Sequence, residues 1–127
     1  MKIDISIGEL VDKVTILEIK LERIKAEEKL INIRNEYNTL KKSMEEIGIT
    51  SDSEIFMRLK KINIKLWEIE DNIRIKEFKQ EFDDEFIKLA RSVYFENDER
   101  AAIKRDINTK FNSNFFEEKE YVDYKKV

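Results

Sequence analysis

Ile47-Gly48-Ile49-Thr50-Ser51-Asp52-Ser53-Glu54-Ile55 is the stretch on which the fold turns. Gly48 supplies a left-handed stop for a preceding helix. Ser51-Asp52-Ser53-Glu54 reads as a capping box that starts another. Backward from the stop, Ile47, Met44, Leu40, Tyr37, Ile33 and Leu30 recur at spacings of three and four. The seam shifts near Glu27-Glu28 and continues as Ile24, Leu21, Leu17, Val14 and Leu10, up to a first capping box at Ser6-Ile7-Gly8-Glu9. Such heptad spacing predicts one helix over residues 6–47, roughly 40 residues and about 60 Å long at ~1.5 Å per residue. Forward from the second box, Ile55, Leu59, Ile62, Leu66, Ile69 and Ile73 predict a helix over 52–77. A loop this short folds the two back as an antiparallel hairpin, with Ile55 near Ile47 and Leu66 near Tyr37.

In that pairing the first ~20 residues of the long helix have no hairpin partner, yet Val11, Ile16 and Ile19 point away from the seam. They need cover from several sides, and the C-terminal third is the available source. Phe82, Phe86, Leu89, Ala90 and Val93 predict a short helix over 82–95. Asn97-Asp98 marks a turn. Ala101, Ala102, Ile103, Ile107 and Phe111 predict a fourth helix over 98–111, and residues 112–127 a docked or partly ordered tail. The fold expected is a single all-α domain: a long helical hairpin of coiled-coil type, with two short helices packed on the N-terminal half of helix 1. Met57, Ile64, Trp67 and Ile75 form a second stripe facing away from the hairpin seam, and Phe56 lies one apolar face from Trp67. A hairpin exposing such a stripe is expected to form a homodimer, as a four-helix bundle.

Composition agrees with helices and narrows the chemistry. The 127 residues are 42% charged and 41% hydrophobic, with no proline and with glycine only at positions 8 and 48. Long helices avoid both residues, and turn-rich β folds require them. Cysteine and histidine are absent, which removes disulfides, thiolate or imidazole catalysis and Cys/His zinc sites. No apolar run approaches the ~20 residues of a membrane span, and no signal-like run opens the chain, so no membrane insertion and a cytoplasmic setting are expected. A net charge of −3 argues against general nucleic-acid binding.

Two constellations could carry chemistry. Glu9 with Asp12, and Glu68 with Asp71, are carboxylate pairs spaced three apart on one helix face, the way helical bundles hold Mg²⁺ or Mn²⁺ and all-α nucleotide pyrophosphohydrolases use a related acidic pattern. With 28 acidic residues such pairs arise by chance, and solvated surface is the preferred reading. The other is Arg91, Tyr94, Asn97, Asp98, Arg100, Lys104 and Asn108. Arg100 shares a side with Ile103 and Ile107. It is either paired with a carboxylate of the uncovered helix (Glu9, Asp12 or Glu18), forming a polar clasp, or joined with Lys104 and Tyr94 in an anion pocket. The clasp is preferred because acids are plentiful and half-buried charges need pairing.

Residues 6–20 (SIGELVDKVTILEIK), 66–74 (LWEIEDNIR), 89–94 (LARSVY) and 97–104 (NDERAAIK) through Asn108, with the Glu118-Lys119-Glu120-Tyr121 tail, resemble a short bacterial and phage family catalogued only as a domain of unknown function. The resemblance covers nearly the whole chain, departing around Phe78–Phe82, where relatives carry a glycine- or proline-type break. It implies a small helical protein, sometimes encoded near glycosyltransferase or surface-polysaccharide genes, and brings no activity. The family pattern marks Glu9, Asp12, Lys13, Trp67, Glu68, Asp71, Arg74, Arg91, Tyr94, Asn97, Asp98, Arg100, Lys104 and Asn108. The expectation is a helical interaction or scaffold protein without a cofactor, acting through self-association or a protein partner, and linked to surface-glycan machinery. The alternative is a small anion or sugar-nucleotide binder, or a Mg-dependent nucleotide hydrolase, using the Arg91–Asn108 cluster with the helix-1 carboxylates.

Overall fold

The computed structural model describes residues 1–125; the last two residues of the expected tail lie outside them. Four helices follow in order, α1 (Ile7–Arg23), α2 (Glu27–Ile47), α3 (Glu54–Lys79) and α4 (Asp84–Lys110), and among the described residues there is no strand. The fold is all-α, as the periodicity requires.

The expected continuous helix over 6–47 is two helices. Ile24 and Ala26 are extended, and α2 turns back onto α1. The break falls where the heptad seam shifts, so no single face would have stayed apolar across it. By turning back, α2 lays Tyr37, Leu40 and Met44 against the same core as Leu10, Val11 and Val14. The Tyr37 hydroxyl donates to Glu18 at 3.1 Å. The expected pairing of residues 30–47 with the following helix is therefore replaced. Helix α1 packs on α2, α3 and α4, and α3 packs on α4.

Central placement explains the composition of α1. Val11, Val14, Thr15 and Ile19 are all buried, on more than one side of the helix. Met44, Ile49, Phe56, Leu59, Ile103 and Ile107 close around its N-terminal half.

The two short C-terminal helices expected over 82–95 and 98–111 are one helix, and the turn at Asn97-Asp98 does not form. Neither residue is needed as a cap. The Asn97 side chain accepts from Arg100, 3.4 Å away, and Asp98 accepts from the Tyr124 hydroxyl. With no glycine or proline nearby, two polar residues in a helix interior cost only tenths of a kcal/mol each.

Caps differ in detail too. Ser6 caps α1 by accepting from the Glu9 N–H at 3.1 Å, but the Glu9 carboxylate turns to Lys104 instead of reaching back. Ser53, not Ser51, is the N-cap position of α3. Gly48 does take the left-handed stop, with φ 100°. Gln80 fills the same role after α3 with φ 57°.

Candidate functional site

Among the described residues the buried charged side chains are Asp12 and Lys104, in a cluster where α1, α3 and α4 meet. Asp12, on the buried side of α1, is 1% exposed. Its Oδ1 accepts from Arg100 Nε at 2.9 Å and from Asn63 Nδ2 at 2.9 Å, while Oδ2 accepts from Arg100 Nη2. Such a fork grips a carboxylate through two parallel bonds, which Lys cannot do. Thr15 completes the set: its Oγ1 accepts from Asn63 at 2.8 Å and donates to the Asp12 carbonyl at 2.7 Å.

One turn further along α4, Lys104 Nζ donates to Glu9 at 2.8 Å and to Glu117 of the tail at 3.1 Å. Another turn on, the Asn108 side chain accepts from the Gly8 N–H at 2.6 Å, and Ser113 accepts from the Ile7 N–H at 3.0 Å. The first N–H groups of a helix have no partner within it. Here the first two of α1, at Ile7 and Gly8, are capped from α4 and from the segment after it. Gly8 makes this approach possible, since a Cβ there would lie 2.5 Å from the Lys104 carbonyl oxygen.

The electrostatics hold both cations charged. The hydrogen bond to Asp12 outweighs burial and raises the Arg100 pKa. Burial works against the Lys104 ammonium, but Glu9, Asp12 and Glu117 outweigh it and raise its pKa above the ordinary lysine value. A lysine acting as a general base needs the opposite shift. Hydrogen bonding to Lys104 in turn holds the Glu117 carboxyl below the usual glutamate range.

Of the other expected residues, Asn97 accepts from Arg100 and Lys13 approaches Glu9, whereas Tyr94 and Arg91 are not brought to this pair. Tyr94 stacks against Tyr124 of the tail, with ring centroids 4.7 Å apart, and so does not join Arg100 and Lys104. Arg91 is exposed, 5.7 Å over the Phe95 ring. Lys13 is exposed and lies 3.8 Å from Glu9. A groove between α4 and the tail, lined in part by Tyr94, Asn97, Asp98 and Tyr124, runs beside the cluster. The two carboxylate pairs also lie apart: Glu68 meets Arg23 at 3.2 Å and Asp71 meets Arg74 at 3.7 Å. Among the described residues no three acidic groups gather as a metal ligand set.

Asn63, Thr15, Gly8, Ser113 and Glu117 belong to the cluster without having been expected as site residues. Asn63 did leave a signal. Phe56, Leu59, Asn63 and Leu66 are the buried face of α3, so Asn63 is a polar residue at an apolar heptad position. Glu117 left none, because the tail has no period.

A second feature lies on the outer side of α3. Trp67 and Ile64 are half-buried, while Met57 is 58% and Ile75 51% exposed. Phe78, outside the expected stripe, extends it and is 89% exposed.

A sequence family described as being of unknown function, DUF6165, matches residues 1–125. This chain belongs to it. Membership of DUF6165 agrees with the resemblance carried by the motif strings, and it covers both the cluster and the α3 stripe. No curated protein and no solved structure matches the chain significantly. No helix of the described residues is long and apolar enough to cross a membrane.

Proposed function

We propose that this DUF6165 member is a non-enzymatic helical interaction protein that acts by self-association as a homodimer, with the Arg100–Lys104 cluster as a structural clasp. The observation that carries the reading is the bare outer stripe of α3. Arg23, the last residue of α1, meets Glu68, and none of residues 69–79 beyond it on α3 is buried, although α4 packs on α3. Two helices standing clear of a core have little to bury against each other, and an exposed apolar stripe along such an arm marks an interaction surface.

The clasp reading is supported by the occupancy of its cations. Arg100 and Lys104 are engaged by Asp12, Glu9 and Glu117, which weighs against the anion-pocket alternative. The same holds for a Mg-dependent hydrolase, whose acids are engaged by cations. The setting we place it in is the surface-glycan machinery that the family resemblance implies.

Sedimentation equilibrium over a wide concentration range tests the reading. Reversible dimerisation is expected, and a monomer at every concentration sinks the proposal. Thermal-shift screening against nucleotides, sugar nucleotides, phosphates and divalent ions, with Arg100→Ala as control, tests the alternative. A true ligand at ~100 times its Kd adds about 2.7 kcal/mol of stability. No such gain is expected; a gain in the wild type that the control lacks would turn the clasp into a pocket.

A further inference from the structure

Trp67, Asp71, Arg74 and Phe78 follow one another along α3 at spacings of four, three and four. At about 100° per residue these four fall within an arc of roughly 60°, on one face of the helix. The series reads aromatic, acid, base, aromatic, and both the spacing and the chemistry are symmetric about the point between Asn72 and Ile73. Opposite charges sit at equivalent distances on either side of that point. A face with this property is complementary to itself when turned end for end.

We propose that two copies of this chain pair antiparallel through this face across a two-fold axis between Asn72 and Ile73, each Trp67 meeting the other copy's Phe78 and each Asp71 the other copy's Arg74. The inference rests on the self-association reading above and gives it a geometry.

The face is open at Asp71, Arg74 and Phe78, and Trp67 is half-buried. Phe78 is 89% exposed, and the Asp71 and Arg74 side chains are 57% and 74% exposed. Their contact within one chain is 3.7 Å, a surface pair three residues apart that holds neither side chain strongly. In the antiparallel dimer each of these charges gains a second partner, and the two bonds are related by symmetry, as an isologous interface requires. Parallel pairing would instead oppose Asp71 with Asp71 and Arg74 with Arg74, which like-charge repulsion disfavours. Charge therefore selects both the occupant, a second copy, and its direction. A shallow hollow bordered by Asp71, Arg74, Ile75 and Phe78 lies on the same stretch and gives the incoming Trp67 indole a place to rest. Here the two charge pairs lie nearest the axis and the aromatic residues flank them, and Trp and Arg are among the residue types that carry most binding energy at interfaces.

Charge reversal tests this directly. Asp71→Arg leaves two positive charges on the face, and Arg74→Asp leaves two negative ones. Each variant alone is expected to weaken self-association at least ~tenfold in sedimentation equilibrium. An equimolar mixture of the two is expected to associate at least as tightly as the wild type, because every cross-chain contact in the mixed dimer is then attractive. Phe78→Asp is expected to lose the dimer without loss of helical signal in circular dichroism. A wild type that dimerises while both charge variants dimerise equally well overturns this geometry and leaves the self-association reading standing. Loss in each variant without recovery in the mixture also overturns it. A wild type that stays monomeric overturns both.

Discussion

A methyl group added at Gly8 would lie 2.5 Å from the Lys104 carbonyl oxygen and 3.0 Å from Asn108 Oδ1. Replacing glycine by alanine inside a helix ordinarily stabilises by up to ~1 kcal/mol. Here the backbone of α4 is the obstacle, so α1 and α4 must separate and the Gly8–Asn108 bond is lost. Gly8→Ala is therefore expected to destabilise by ~1–3 kcal/mol, the usual range for an overpacked contact. Urea unfolding with unchanged m would read it, and a gain in stability would show that the two helices are not so close. Arg100→Ala leaves the buried Asp12 carboxylate with Asn63 as its remaining side-chain donor. Breaking a buried pair from one side costs ~3–5 kcal/mol. Asp12→Asn combined with Arg100→Ala is expected to cost less than Arg100→Ala alone, since no buried charge is then left over. If the double variant is the less stable one, the cluster is not holding a charge in the way the geometry implies.

At the scale of elements, α2 is the helix with the weakest start. Ala26 occupies its N-cap with extended backbone and offers no side-chain acceptor. Ala26→Asp supplies one, next to a positive dipole end, and is expected to raise stability by ~0.5–1 kcal/mol in thermal unfolding. No change, or a loss, would show that the first turn of α2 is already satisfied. The same junction marks where the sequence became unreadable. Heptads at 10–24 and 30–47 announced helices, but Ile24-Lys25-Ala26 contains no glycine or proline, so only the shift in the seam hinted at a reversal. The opposite error occurred at Asn97-Asp98, where two residues common at caps are held in a helix interior by Arg100 and Tyr124, both side-chain partners that spacing cannot reveal. The cluster itself was half legible. An arginine on the apolar side of α4 was expected either to pair with an acid on the uncovered part of α1 or to join an anion pocket, and it pairs with Asp12. Which acid it met depended on how α1 and α4 slide past one another, and that is fixed by the contact at Gly8.

For the molecule as a whole, the segment after α4 acts as a strap that ties α4 to itself and to the start of α1. Ser113 holds the Ile7 N–H, Glu117 meets Lys104, Glu118 meets Arg105 at 3.2 Å, and Tyr124 donates to Asp98. This last bond pushes the Tyr124 pKa up to about 12. Hydrogen bonding from Lys104 has the reverse effect on Glu117, lowering its pKa below 4.5. A carboxyl that binds its proton less readily when folded adds stability above its unfolded pKa, and that stability is lost as pH falls through the folded value. Asp83, held low by Lys76 and by the Phe86 N–H it caps, acts in the same direction. Tyr124 and Lys104, both raised, act oppositely: their contributions are complete below their unfolded pKa values and are lost in strong alkali. Stability should therefore hold a plateau near neutrality and fall below about pH 4.5, where the acidic contributions start to go. Glu117→Gln is expected to cost less than ~1 kcal/mol at neutral pH, because the pair is partly exposed, and to flatten the acid limb. Asp98→Asn is expected to bring the highest tyrosine midpoint, read by absorbance near 295 nm, down toward the ordinary value near 10. An acid limb unchanged by Glu117→Gln, with the tyrosine titration altered by Asp98→Asn, would mean that the strap is held by its aromatic end alone. Lys104 would then depend on Glu9 as its one clasp partner.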